Sequence, residues 1–295
     1  MTLAWASRPA STEPHLAPAT RPLTGSAPGR CRVMGILNVT PDSFHDGGRH
    51  VTPEAAVVHA RQLVAEGASI IDVGGESSRP GARPVSADEE IRRVVPVIER
   101  LRTEFAMPIS IDTTKPEVMR AAVAAGATMI NDINALRQPG ALSAAAELGV
   151  PVCLMHMQGE PATMQERPSY EDTAGEVRAF LLGRAEACLT AGIDRRHIIL
   201  DPGFGFGKLL RHNLALFRAL PQLVAEGWPV LVGVSRKSMI GQILGDPAAD
   251  RLAGSLALAL LACQRGATIL RVHDVGPTVQ ALAMLDSIEE KQEIQ

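Results

Sequence analysis

The residues that could do chemistry in this sequence recur at one kind of place, the C-terminal end of a short apolar run. Successive runs close on Asn38, on Asp72 with Gly74-Gly75-Glu76-Ser77-Ser78-Arg79-Pro80 behind it, on Asp112, on Asn131-Asp132, on His156, on Asp201, on Ser235-Arg236-Lys237-Ser238, and on Arg271 with His273 and Asp274. One such group would be unremarkable. A polar group on every run is hard to call structural, because burying each without a partner costs roughly several kcal/mol. The set is therefore expected to converge on a polar ligand. Carboxylates and amides suit a hydrogen-bonding heterocycle. Arg79, Arg271 and His273 suit an anion, and a guanidinium meets phosphate oxygens through paired donors.

For these side chains to meet, the runs must be strands whose ends face one way. Candidate strands lie at residues 33–39, 69–75, 108–113, 129–134, 150–156, 197–203, 229–235 and 267–274, and they read as continuous apolar segments, as strands covered on both faces do. Ala/Leu-rich stretches separate them. Ser86-Ala87-Asp88-Glu89 has the pattern of a capping box, and Lys115-Pro116-Glu117 places a proline in a first helical turn. Gly67, Gly126, Gly149, Gly192, Gly227 and Gly266 each stand just before a strand, where a left-handed residue closes a helix. Eight such strand–helix units predict an α/β fold, a (β/α)8 TIM barrel with a parallel eight-stranded core and its site at the C-terminal ends of the strands. A doubly wound open sheet lacks its usual Gly-x-Gly-x-x-Gly after the first strand.

Composition agrees. The chain has 295 residues, 46% of them hydrophobic but only 3% aromatic, so the core must be built from aliphatic side chains. A formal net charge of −3 argues against a general nucleic-acid or membrane-surface binder. Cys31, Cys153, Cys188 and Cys263 show no Cys-x-x-Cys spacing and read as reduced thiols of a cytoplasmic protein. The most apolar run is too short to span a bilayer. Residues 1–30, rich in Pro, Ala, Ser and Thr, are expected to form a disordered extension ahead of a catalytic domain at 31–295. Their prolines work against the amphipathic helix of a transit peptide.

Some features carry two readings. Gly203, Gly205 and Gly207 followed by Lys208 resemble a phosphate loop but miss the Gly-x-x-x-x-Gly-Lys-Ser/Thr spacing, so the glycines are expected to let the loop lie close to the ligand. Asp201-Pro202-Gly203 is read as a ligand position rather than a turn device. His156 stays open between ligand support and packing. Residues 252–263 are apolar nearly all round, which suits core packing or a dimer face.

The motifs also resemble those of a known family. Met34-Gly35-Ile36-Leu37-Asn38-Val39-Thr40-Pro41-Asp42-Ser43-Phe44 and Asp72-Val73-Gly74-Gly75-Glu76-Ser77-Ser78-Arg79-Pro80-Gly81 are similar to the two signatures of dihydropteroate synthases. Ser110-Ile111-Asp112-Thr113, Ile130-Asn131-Asp132-Ile133, Leu154-Met155-His156-Met157-Gln158-Gly159, the segment 200–207, the segment 233–238 and Arg271-Val272-His273 follow in family order. The resemblance implies condensation of 6-hydroxymethyl-7,8-dihydropterin diphosphate with p-aminobenzoate. It implies a catalytic set of Asp112, Lys237, Arg271 and His273, and a pterin site of Asp112, Asn131, Asp201 and Lys237. It further implies a diphosphate site of Asn38, Arg79, Arg271 and His273, a p-aminobenzoate site of Ser78, Arg79, Pro80, Phe206 and Ser238, and Mg2+ held at Asn38. A dissociative mechanism, small-molecule substrates and a homodimer also follow from it. In the family this chain's Ser78 is usually Thr and its His45 commonly Ser. The loss of one methyl at Ser78 is expected to spare catalysis and loosen packing against p-aminobenzoate or its sulfonamide mimics. A corrinoid-dependent methyl-transferring barrel would share the pterin acids but would not need Ser78-Arg79-Pro80, Lys237-Ser238 or the Arg271/His273 pair. A degenerate barrel kept as a binding module is the remaining alternative.

Overall fold

The computed structural model describes residues 31–40, 52–78 and 83–289. The expectation for residues 1–30 falls outside them. Eight strands, β1 (Arg32–Asn38), β2 (Ile70–Gly74), β3 (Ile109–Asp112), β4 (Met129–Asp132), β5 (Val152–Met155), β6 (Ile198–Asp201), β7 (Leu231–Val232) and β8 (Ile269–Val272), pair in parallel in the order β6-β5-β4-β3-β2-β1-β8-β7. A bridge between Leu200 and Val230, with the Leu200 N–H donating to the Pro229 carbonyl at 2.9 Å, joins β6 to β7 and closes the barrel. Around it lie α1 (Pro53–Ala65), α2 (Ala87–Glu104), α3 (Pro116–Ala124), α4 (Ala141–Leu148), α5 (Thr173–Thr190), α6 (Leu210–Arg218), α7 (Leu220–Val224), α8 (Ser238–Leu244), α9 (Leu252–Gln264) and α10 (Val275–Glu289).

All eight expected strands form, each with a shorter C-terminal end. At β4 the Asp132 carboxylate accepts the N–H groups of Asn134 (2.7 Å) and Leu136 (2.8 Å) and turns the chain off the ladder. At β7, Pro229 brings no donor and Arg236 takes a left-handed φ of 56°, so only two residues remain as strand. The six helix-end glycines all adopt positive φ, between 62° and 115°. Ser86 caps α2, its hydroxyl accepting from the Glu89 N–H at 3.2 Å. The Glu89 carboxylate is occupied by Arg92 and Arg93, so the reciprocal half of a capping box gives way to ion pairs within the helix.

The interior follows the two-residue period of a strand. Met34, Ile70, Met129, Cys153, Ile199, Leu231 and Ile269 form a separate buried cluster that plugs the barrel. Two residues further along the same strands stand Ile36, Asp72, Asn131, Met155, Asp201, Gly233 and Arg271, and on β3 the step runs from Ser110 to Asp112. On β2, β4, β6 and β8 the side chain that looks into the barrel thus changes from apolar to polar in one step. Outward-facing strand residues pack against the helices in the main core. α9 contributes Ser255, Ala259 and Ala262 to this packing and leaves Leu261 exposed.

Behind β2 a charged cluster holds the start of the β2–α2 connection. The Lys115 ammonium pairs with Glu76 and, at 2.5 Å, with Glu90, whose side chain is fully buried. The Glu76 carboxylate also accepts the Val85 N–H at 3.0 Å, and Arg93 donates to the Gly75 carbonyl at 2.9 Å. Gly75 must be a glycine here, since a Cβ would lie 2.7 Å from the Val94 side chain. Burial pushes the Glu90 carboxyl up and Lys115 opposes that push. Lys115→Met is therefore expected to destabilise the fold by about 3–5 kcal/mol in urea unfolding, because it strands a buried charge. Adding Glu90→Leu should recover most of that loss. An unchanged midpoint for the single variant would show that the cluster contributes nothing.

Candidate active site

The polar tier opens into a pocket at the C-terminal mouth of the barrel. Of the residues singled out in the sequence, Ser78, Asp112, Asn131, Asp201, Phe206, Lys237, Arg271 and His273 line it together. Asn38 stands on the same rim: a Cβ placed on Gly74 would be 3.6 Å from both Asn38 Oδ1 and Asp112 Cβ. Ser238 is exposed as the first residue of α8, next to Lys237 but not among the lining residues. Arg79 and Pro80 lie outside the described residues, as do Asp42, Asp46 and Arg49.

Asp72 organises the floor. Its fully buried carboxylate accepts from Arg271 Nε at 2.6 Å and from Asn131 Nδ2 at 3.1 Å through the same oxygen. With the Asn131 amide donor engaged there, the amide oxygen is left for a ligand. Arg271 Nη2 also donates to Asp112 at 2.6 Å, so one guanidinium bridges two carboxylates and retains its Nη1 hydrogens for an anion. The two acids hold the Arg271 guanidinium well above its ordinary range, against the burial that would lower it.

The remaining charges are tuned by burial. It pushes the Asp112 carboxyl up to about 7, with Arg271 opposing and Asp72 reinforcing. It pushes Asp201 up to about 6, restrained by the Gly203 N–H that donates to Oδ1 at 2.7 Å and by Lys237. It pushes Lys237 down to about 8, helped by Arg271 and resisted by Asp201 and Asp112. The Lys237 ammonium lies 4.2 Å from the centre of the Phe206 ring, a cation–π contact. Gly205 leaves room for it, since a Cβ there would be 3.2 Å from Lys237 Cδ.

His273 is pushed down to about 4 by burial and by Arg271 and Arg236, so at neutral pH it is an uncharged imidazole. The Ser235 hydroxyl accepts the His273 N–H at 3.1 Å and meets Nδ1 at 3.1 Å. If that hydroxyl gives its proton to Nδ1, the ring hydrogen sits on Nε2. His273 is then a neutral donor and not the second cation that an anion clamp in the sequence suggested. Arg236, paired with Asp274, ties the turn after β7 to the end of β8.

Asp72 and Ser235 escaped the residue-type argument as site organisers, although the two-residue strand period puts Asp72 on the inward face. His156 resolves as a partner of Lys208, with 2.9 Å between its Nδ1 and the ammonium, and it does not line the pocket. Ile133 and Met155 form an apolar side of the pocket against Phe206, a contact that no local pattern signals.

The pterin binding enzyme family model matches residues 34–273. Dihydropteroate synthase of Escherichia coli strain K12 is 54% identical over 255 residues, 86% of this chain and 90% of that protein. The Xanthomonas albilineans dihydropteroate synthase solved with 4-aminobenzoic acid superposes with a TM-score of 0.84 at 57% identity, over 89% of this chain and 94% of that one. The same organism's dihydropteroate synthase in complex with 7,8-dihydropteroate gives 0.81 at 54% identity, over 90% and 97%. A polar pocket with this set of residues, a closed parallel barrel and likeness over nearly its whole described length together make the chain a member of the dihydropteroate synthase family of pterin-binding enzymes.

Proposed function

We propose that this chain condenses 6-hydroxymethyl-7,8-dihydropterin diphosphate with p-aminobenzoate to give 7,8-dihydropteroate and pyrophosphate. The observation that carries this reading is the convergence of Asp112, Asn131, Asp201, Lys237, Arg271 and His273 on one pocket. Asp201 accepts from the pterin amino group and ring N–H, as a carboxylate facing paired donors does. Asn131 and Asp112 take the rest of that edge, and Lys237 donates toward the ring carbonyl and N5. Arg271, through Nη1, and neutral His273 receive the diphosphate. The carbon–oxygen bond breaks with its electron pair leaving on pyrophosphate, while the pterin ring delocalises the cation. The neutral aniline nitrogen then forms the new carbon–nitrogen bond and sheds its proton to solvent. Charge appears mainly on the leaving group, so donors prepositioned there accelerate the step.

Phe206 supplies a face for the p-aminobenzoate ring, with Ser78 in the same lining and Arg79 and Pro80 following it in the sequence. Ser238 would serve the carboxylate only from the pocket rim. Among the described residues no group of three or more His, Cys, Asp or Glu could hold a metal. Mg2+ commonly takes one or two protein oxygens and completes its shell with phosphate and water, and the Asn38 amide oxygen beside Asp112 fits that pattern. The ion would offset charge on the departing diphosphate.

We further propose a catalytic domain at 31–295 preceded by a disordered extension, and a cytoplasmic homodimer. Cys31, Cys153, Cys188 and Cys263 are thiols outside any disulfide, which supports a reducing compartment. Exposed Leu261 on α9 with Met284 and Ile288 on α10 support an apolar contact between copies. Among the described residues no helix is long and apolar enough to cross a membrane.

The protein mixed with both substrates and Mg2+ should release pyrophosphate in step with dihydropteroate, each component being required. Asp201→Asn keeps an acceptor for the Gly203 N–H but loses the charge, and it should abolish turnover. It should not lower stability at pH 8. A carboxyl raised from 3.8 to about 6 by folding costs stability that is absent below pH 3.8 and fully present above about pH 6. A variant that melts early, or one that still turns over, would place Asp201 elsewhere in the mechanism. The free-enzyme pH profile of kcat/KM for the pterin should fall below about 7, where Asp112 and then Asp201 protonate, and above about 8, where Lys237 loses its proton. Lys237→Arg should lower activity and flatten the alkaline limb, because arginine does not titrate there. An alkaline limb that survives the change would assign it to another group.

A further inference from the structure

We propose that Lys208 is a positioning residue for the p-aminobenzoate side of the pocket: it staples the β6–α6 loop into the shape that presents Phe206. This rests on the functional reading above. The Lys208 side chain is 3% exposed, yet its partners are carbonyl dipoles and a ring nitrogen instead of a carboxylate. Its ammonium donates to the carbonyls of Gly203 at 2.9 Å, Phe206 at 3.0 Å and His156 at 3.3 Å, and meets His156 Nδ1 at 2.9 Å. The side chain therefore returns from the end of the loop to gather two of the loop's own carbonyls and to pin them to the end of β5.

The rest of the loop is built to fit that gathering. The Phe206 N–H closes a turn on the Gly203 carbonyl at 3.1 Å. The Gly205 N–H donates to Asn213 Oδ1 at 2.8 Å, and Asn213 Nδ2 donates to the Lys208 carbonyl at 3.2 Å. Gln165 reaches the Gly205 carbonyl and Tyr170 the Gly207 carbonyl, both from the β5–α5 connection. Gly203 and Gly207 lie so close to that connection that a Cβ would be 2.0 Å from the His156 carbonyl oxygen and 2.3 Å from that of Gln158. Glycine permits the approach, and Lys208 supplies the attraction that holds it. Between the two stapled carbonyls stands the loop whose Phe206 ring faces the pocket and underlies Lys237. Freeing the loop would move that ring while leaving Asp112, Asn131 and Arg271 on their own strands.

The test compares the wild-type enzyme with Lys208→Met, which keeps the bulk and removes the donors. KM for p-aminobenzoate should rise about tenfold with kcat and the pterin KM changed much less, as displacement of one subsite requires. Hydrogen exchange read by mass spectrometry should quicken at residues 203–207 and stay unchanged in β1 to β4. His156→Leu should shift the same constant in the same direction and add little to Lys208→Met, since the two share one interaction. His156→Asn retains an acceptor and should stay near wild type, so this pair decides the matter should Lys208→Met fail to fold. A folded Lys208→Met enzyme with the wild-type KM for p-aminobenzoate, or one whose constants all fall together, overturns the proposal. A wild-type protein that makes no product overturns the functional reading instead, and the exchange comparison then judges the Lys208 staple by itself.

Discussion

Three carboxylates in one barrel mouth, Asp72, Asp112 and Asp201, must be reconciled with burial, and the arrangement around them follows from that demand. Ions taken out of water are tolerated when opposite charge and hydrogen bonds replace the lost solvent. Arg271 meets this need for two of the acids at once, at 2.6 Å to each. Lys237 and the Gly203 N–H serve the third. The compensation is incomplete, because burial still holds Asp112 and Asp201 above their ordinary values. A site of this kind is costly to the fold and valuable to a ligand that brings its own N–H donors.

The apolar tier below makes the polar tier tolerable. Met34, Ile70, Met129, Cys153, Ile199, Leu231 and Ile269 fill the barrel and keep water from entering beneath the acids. Above them the polar side chains hold each other in place. Asp72 fixes Asn131 and Arg271, Ser235 fixes His273, and Lys208 fixes the loop that carries Phe206. The polar side chains of the pocket are thus set on strands or on short turns and held by one another, which is the condition for electrostatic preorganisation.

The barrel was legible because each unit repeats the same local grammar: an apolar run, a polar terminus, a helix and a closing glycine. Asp112, Asn131, Asp201 and Arg271 were legible because each ends such a run. The part of Asp72 was not, since residue type does not say whether a carboxylate serves a ligand or a neighbouring cation. The His156–Lys208 contact spans 52 positions and depends on how two connections stack. The neutrality of His273 arises from burial beside Arg271, which no motif carries. For Ser238 the place at a helix start was legible, but its exposure outside the pocket lining was not.

The junction of β6 and β7 has a mechanical meaning. Elsewhere around the barrel neighbouring strands share a run of register pairs, but here a single bridge and one flanking hydrogen bond complete the circle. Asp201 and Lys237 belong to opposite sides of that junction. A flat heterocycle bound between them would act as an extra rung, spanning with its own donors and acceptors a gap that the backbone leaves loosely sewn. The ring of strands would become stiffest when substrate is in place, so the molecule being recognised would also serve as a removable piece of the frame.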